Sequence, residues 1–530
     1  HAGFVQNQIR AAQEPATERI TPIRFRLDAQ RVQALQMRIH TSAPDNVAAG
    51  RKKGGASVSR GQRTGSDYFL GARDIPALAI LLSIVATETS ALTVISIPGV
   101  GARGDLGFLQ LTFGYLIGRV AVAWWLLPGY FAGTQETAYA RLSSRFGTST
   151  RHLVSATFMV TRFLGDGVRV FAGAIPLALA TGWSLPMAIA VMGAVTLAYT
   201  WLGGLRAVIW ADVVQLTIYV VGGIAALAIA VSLAGGVGSV WSLATEAGKL
   251  RTVYPSFSFT TTYTLVGGLV GGAMLSAASH GTDHLIVQRL LATRSLADAR
   301  RALVGSGFVV ILQFLLFLLV GVAIWAAGNA PEGMSPDVIF PRFIVEHLPI
   351  GLRGLLIAGI LAAAMSTLSS SINALASSVT YYFYAGWSGK TEPGHLLKVV
   401  RVVTIIWGAG LTGAALAFAT AAARMETPIV VLALSIASIT YGALLGTYVL
   451  ALAWPRARGR DVVLAVVLSV IIMLIVVFSR PLANAGASWL SPVARLAWPW
   501  YVPLGTVLTM GIAVVSSLTG DRRVEEEVLV

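Results

Sequence analysis

The sequence predicts an all-α, polytopic membrane protein of about twelve spanning helices, two of them broken near their centres. Three observations predict it. Of 530 residues, 55% are hydrophobic and 12% charged, with a mean hydropathy of +0.72, where soluble chains carry roughly 25% charged residues. The apolar residues come in runs long enough for helices of about 20 residues. The alternating segments of about ten residues that mark a membrane β-barrel do not occur.

Taking the chain in order, residues 1–66 are polar and rich in Gln, Arg and Ala. They contain neither a spanning run nor the apolar core of a secretory signal, and read as a disordered basic extension. Spans are predicted at 74–98, 106–131, 152–181, 185–202, 206–235, 262–290, 301–327, 352–384, 398–422, 427–454, 461–479 and 497–518, and 521–530 form a cytoplasmic tail. The net charge of +15 reflects basic loops rather than a nucleic-acid surface, because Lys and Arg concentrate on the cytoplasmic side of membrane proteins. With residues 1–73 inside, and counting only from Arg51 onward, roughly 21 Lys and Arg fall in inner segments, Arg289 among them, against 8 in outer ones. Both ends are therefore expected in the cytoplasm. The expected setting is a bacterial inner (plasma) membrane. No cysteine is present, which excludes disulfides and thiolate metal sites.

The first span reads LLSIVATETSALTVISIPG over 81–99; its centre, Ala86 to Thr93, is rich in hydroxyls and contains Glu88. The sixth reads GGAMLSAASHGTDHLIVQR over 271–289, with Ser276, Ser279, His280, Gly281, Thr282, Asp283 and His284 at its centre. Two interrupted spans, five spans apart, point to a transporter built as an inverted repeat, whose unwound backbone lines a midplane site. The alternative is two ordinary helices whose Ser and Thr bond back to their own backbone. On the first reading, 67–455 are a ten-helix core of two repeats, about 67–240 and 255–455, and 456–520 carry two peripheral helices.

The third span contains TRFLGDGVRVFAG, which sets Arg162, Asp166 and Arg169 on one helix face. Intramembrane charges are expensive and usually paired. The trio reads as a self-neutralising cluster in preference to an anion or gating site, with Glu88 a further partner for it or for Arg119.

The eighth span holds LAAAMSTLSSSIN over 361–373, with five hydroxyls: Ser366, Thr367, Ser369, Ser370 and Ser371. Ser366, Ser369 and Ser370 stand at i, i+3 and i+4 and share a face. Sodium is small, hard and monovalent. Hydroxyls and carbonyls can surround it without adding charge to the membrane interior, whereas divalent cations recruit more carboxylates. Small residues also let membrane helices approach closely, and the stripe alone does not decide between the two.

Four stretches together carry a family resemblance. SDYFLGARDIPALAILLSIVATETSALTVISIPG (66–99), YTWLGGLRAVIWADVVQ (199–215), GTDHLIVQRLLATRSLADARRAL (281–303) and AAAMSTLSSSINALASS (362–378) occur in the order and spacing of the sodium:solute symporter family. The chain resembles that family over roughly 66–455. The resemblance implies a LeuT-type fold of five plus five helices and Na+-driven solute uptake by alternating access. It also implies a first Na+ site of the Ala86, Thr89 and Ala363 carbonyls with the Ser366 and Thr367 hydroxyls. Some members carry a second Na+ site, matched here by Asp212, Ser366, Ser369 and Ser370, so one or two ions are expected. Members usually begin with a further helix before the YFL motif, where this chain has its polar extension.

The solute-cavity candidates are Thr93, Ser276, Ser279 and His280. Thr93, Ser276, Ser279 and Val310, the positions the resemblance matches to the amide, charged and aromatic groups of the sugar carriers, are smaller or less polar, which weakens a glucose-like substrate. His280 reads as either a ligand or a structural hydrogen-bonding residue. The expected partners are a small solute and the lipid bilayer, with no nucleic acid and no obligate protein partner. An enzyme is disfavoured by the lack of metal-ligand and nucleophile motifs. A solute sensor is disfavoured because the tail TGDRRVEEEVLV is too short for a signalling domain. Proton coupling through Asp212 is the mechanistic alternative.

Overall fold

Each predicted span has its helix. In the computed structural model, residues 75–132, 140–200, 205–390, 392–422 and 428–519 are described. The basic extension, the tail and part of the YTWLGGL motif lie outside them. The main elements are α1 (Ala77–Glu88), α2 (Ala91–Arg103), α3 (Leu109–Phe131), α4 (Thr148–Thr181), α5 (Leu185–Thr200), α6 (Leu205–Leu233), α7 (Val237–Glu246) and α8 (Leu265–Gly281). They continue with α9 (His284–Leu291), α10 (Leu296–Ala326), α11 (Pro336–His347), α12 (Ile350–Ser378), α13 (Pro393–Ala422), α14 (Ile429–Ala453), α15 (Gly459–Val477) and α16 (Tyr501–Thr519).

Among the described residues, 9 helices are long and apolar enough to cross a membrane, or up to 10 when the bent pair α1–α2 counts as one span. The remaining two predicted spans are present as α5, of 16 residues, and α8, of 17, each shorter than a full crossing by itself. Both breaks fall where the polar centres lie. Between α1 and α2 the axis bends by 61° at Thr89–Ser90. Between α8 and α9 the chain leaves the helix at Thr282 and Asp283.

The chain divides into two compact units, each drawing on both sequence halves. The first comprises residues up to 109, 162–252 and 289–433. Here α2 packs on α10 and α11, α6 on α1, α10 and α12, and α13 on α5 and α12. Contact between α2 and α10 needs bare backbone: a Cβ on Gly321 would overlap the Pro98 carbonyl, and one on Gly101 the Leu318 carbonyl. The short helix α11, absent from the predicted elements, carries the buried Asp337. Its carboxylate accepts the Ser96 hydroxyl of α2 at 2.5 Å and the backbone N–H of Ile429, the first residue of α14, at 3.0 Å. An Asp from a distant element thus serves an orphan N–H at a helix start. Burial holds this carboxyl up at about 6, above the usual Asp value of about 4. At the other end of α2, Lys249 donates to the Ala102 and Gly104 carbonyls at 2.8 and 3.0 Å, a cation on the negative end of the helix.

The second unit comprises 110–161, 253–288 and the chain from 434. Its α8 packs on α16, and α16 on α15. Gly118 of α3 faces the Ala273 carbonyl of α8, and Gly442 of α14 meets Gly505 of α16, so small residues again set the approach. The α8–α9 break is held from both sides. Tyr130 donates its hydroxyl to the Gly281 carbonyl at 2.6 Å, and Asp283 accepts the Leu285 N–H at 3.0 Å and the Tyr441 hydroxyl at 2.9 Å.

Candidate sodium site and solute residues

The first unit contains all residues of both expected ion sites. Helix α1 ends at Glu88, so the carbonyls of its last turn, Ala86 among them, lie beyond the reach of helical N–H donors. Thr89 follows with φ −83° and ψ 65°, its N–H bonded to Val85 O at 2.7 Å. Its hydroxyl donates to Gln313 of α10 at 2.7 Å, which leaves its carbonyl as the group a cation would use. Ala363, Ser366 and Thr367 lie on the unbroken α12. The Ala363 carbonyl serves its own helix there, but a carbonyl has a second lone pair to offer. These donors are hard, neutral oxygens, as a monovalent cation in a low-dielectric interior requires.

Helix α6 aligns the site. Asp212, Gln215 and Tyr219, on one face of α6, contact α12 in descending order. Ser366 donates to Asp212 Oδ1 at 3.4 Å, Gln215 Nε2 donates to the Ala362 carbonyl at 3.2 Å, and the Tyr219 hydroxyl to the Gly359 carbonyl at 3.2 Å. Ser83 of α1 donates to Asp212 Oδ2 at 2.8 Å. Ala86 stands one turn further along the same face of α1. Helices α1 and α12 thus both bond to one carboxylate, and the two strands of the expected first cage belong to those helices.

The second cage is only partly assembled. Ser366 reaches Asp212, whereas Ser369 is buried and Ser370 half-buried without a hydrogen bond to that carboxylate among the described contacts. Arg289 bonds there instead: its Nη2 lies 3.2 Å from Asp212 Oδ2 and its Nε 3.0 Å from the Ser83 hydroxyl. The positive-inside reading assigned Arg289 to a cytoplasmic loop, but its side chain is 3% exposed and ion-paired. The signal available in the sequence was Asp212 itself, since a carboxylate in an apolar helix demands a cation.

The last hydroxyl of the stripe has a different partner. Ser371 donates to Asp166, which also receives Arg169 at 2.5 Å and lies 3.6 Å from Arg162. This is the geometry of the self-neutralising cluster expected from the helical spacing.

The solute candidates divide between the units. Thr93 belongs to the first, buried in α2 and donating to the Glu88 carbonyl across the break at 3.3 Å. Ser276, Ser279 and His280 end α8 in the second. The buried His280 has Nε2 3.2 Å from Nη2 of the fully buried Arg119 of α3. A guanidinium can only donate, so Nε2 accepts and the proton of a neutral imidazole sits on Nδ1. Nδ1 lies 2.8 Å from the Ser279 hydroxyl and 3.1 Å from the Ser276 carbonyl. His280 therefore orients Arg119, a hydrogen-bonding role that its sequence position left open.

The family model that matches this chain is that of the sodium:solute symporter family, over residues 68–468. The chain is 26% identical over 465 residues to the sodium/sialic acid symporter NanT of Aliivibrio fischeri, covering 86% of this chain and 88% of the relative. It is 28% identical over 410 residues to the human sodium/iodide cotransporter, covering 75% of this chain and 62% of the relative. Among solved structures, the substrate-bound, outward-open state of a Na+-coupled sialic acid symporter shares the fold. The TM-score is 0.77 at 23% identity, covering 94% of this chain and 98% of that one.

Proposed function

Because this chain belongs to the sodium:solute symporter family, we propose that it couples inward Na+ flow to uptake of a small anionic solute. The observation that carries the ion half is that Ser83 of α1, one turn before Ala86, and Ser366 of the α12 stripe both bond to the Asp212 carboxylate. Ala86, Thr89, Ala363, Ser366 and Thr367 would hold one ion as neutral oxygens. Asp212 with Ser366, Ser369 and Ser370 would hold a second. The solute half is supported by two relatives whose names specify sialic acid and iodide, both negatively charged near neutral pH. Proton coupling through Asp212 is the alternative, and the sodium-named relatives favour Na+ over it. The two repeats over 67–455, a plasma-membrane location and cytoplasmic termini complete the reading.

The test is a thermal-shift screen of purified protein against sialic acid, short monocarboxylates, iodide, glucose and neutral amino acids, with Na+ or with K+. Stabilisation by an anion that requires Na+ is expected. Stabilisation by a neutral sugar alone would overturn the anion reading.

A further inference from the structure

The carboxylate of Asp212 bears one negative charge and has two candidate cations. We infer that Arg289 is a positioning residue for ion coupling, its guanidinium acting as a tethered counter-cation that must leave Asp212 before Na+ is held there. The inference rests on the second-cage reading above.

Three features of the contact carry it. The guanidinium and the Ser83 hydroxyl both bond to Oδ2, at 3.2 and 2.8 Å, and to each other at 3.0 Å, closing a triangle on one oxygen. The other oxygen, Oδ1, faces α12 through the long 3.4 Å contact with Ser366, a weak bond at that length. Oδ1 is thus the side on which the α12 hydroxyls would share an ion. A guanidinium does not lose its proton. With Na+ on Oδ1 and Arg289, whose side chain is 3% exposed, on Oδ2, one carboxylate would face two cations both shut off from water, unlike Asp166, whose partner Arg169 is 26% exposed, and uncompensated buried charge is expensive. The two cations therefore alternate.

The element that carries Arg289 is built for such an exchange. It lies near the end of α9, an eight-residue helix that follows the break at Thr282–Asp283. One residue past α9, the Ala292 carbonyl accepts the Ile75 N–H at 3.2 Å, just before α1. The entry to α1 is thus bonded to the segment that holds the guanidinium, and Ser83 of α1 joins the same triangle. Release of Arg289 from Asp212 as Na+ arrives would leave the direct Ser83 bond as the link between α1 and that carboxylate. Its return would refill the anion as Na+ departs.

Equilibrium binding of 22Na+ to the purified full-length protein tests this, across wild type, Arg289→Gln, Arg289→Lys and Asp212→Asn. Arg289→Gln should bind the second ion at Na+ concentrations lower by about fivefold or more. Arg289→Lys, which keeps the charge, should restore the wild-type curve. Asp212→Asn should hold one ion only. An Arg289→Gln curve identical to wild type, beside an Asp212→Asn protein that has lost an ion, would make Arg289 a static packing partner and overturn the inference. A lysine variant that behaves like glutamine would overturn it too. If Asp212→Asn retains every ion, the second cage itself fails and the inference falls with it. Should Arg289→Gln not fold, Ser83→Ala decides: loss of the hydroxyl that clamps the guanidinium should lower the required Na+ by about twofold, and an unchanged curve would overturn the proposal.

Discussion

Two buried carboxylates of the first unit each accept a hydroxyl from the α12 stripe, and they are paired in opposite ways. Asp166 takes Ser371, and its cations come from its own helix, four residues before and three after. Asp212 takes Ser366, and its cation comes from a short helix 77 residues away. A pair fixed within one helix can separate only if that helix unfolds. A pair made between elements can separate when one of them moves. The first arrangement suits a permanent charge cluster, the second an anion that exchanges partners.

The comparison predicts its own breaking points. Asp166→Asn should have the largest effect, because it leaves the buried Arg162 and the half-buried Arg169 without that carboxylate. Breaking a buried ion pair in this way costs about 3–5 kcal/mol. Little folded protein should be recovered, and any that is should melt far below wild type in detergent. Asp212→Asn should be milder in stability and harsher in function. The folded protein should keep solute binding at high Na+, while the Na+ Hill coefficient of uptake falls toward one. If the two variants melt alike and transport with the same ion stoichiometry, the contrast between fixed and exchangeable pairs is wrong.

Thr367→Ala probes the first cage without touching either carboxylate. It should raise the Na+ concentration needed for half-maximal uptake several-fold, while stability changes by only about 1 kcal/mol, as for a neutral buried hydroxyl. An unchanged Na+ curve in a stable variant would assign the stripe to helix packing.

The smallest effect concerns a third carboxylate, Asp337, held by the neutral Ser96 hydroxyl and Ile429 N–H. Burial raises its folded value to about 6, above that of the unfolded chain, so the native state binds the proton more tightly. That stabilisation is full below the ordinary Asp value of about 4 and is lost as pH rises through about 6. The melting temperature should fall by a few degrees across that window and then level. Asp337→Asn should flatten the slope.

What the sequence made legible was local. The run of hydroxyls from Ala86 to Thr93 located the bend observed at Thr89–Ser90, and the polar centre of the sixth span located the break at Thr282–Asp283. The Arg162–Asp166–Arg169 cluster could be read because helical spacing alone brings those side chains together. Contacts closed by tertiary packing were not legible. Arg289 was read as a loop residue because it follows the last apolar residues of a span, and nothing near it in the chain points to Asp212. The role of Ser371 was hidden in the same way, since one helix face presents its hydroxyls to different neighbours. The short α11, with its capping Asp337, had no spanning pattern to announce it.

The central claim is that neutral oxygens between α1 and α12 bind the coupling ion, and that the ion is Na+. Uptake of the solute found by the thermal-shift screen, measured in proteoliposomes under an imposed Na+ gradient and under a proton gradient in K+ buffer, tests it most directly. Accumulation under the Na+ gradient, with none under the proton gradient alone, is the predicted result. Full accumulation driven by protons in the absence of Na+ would contradict it.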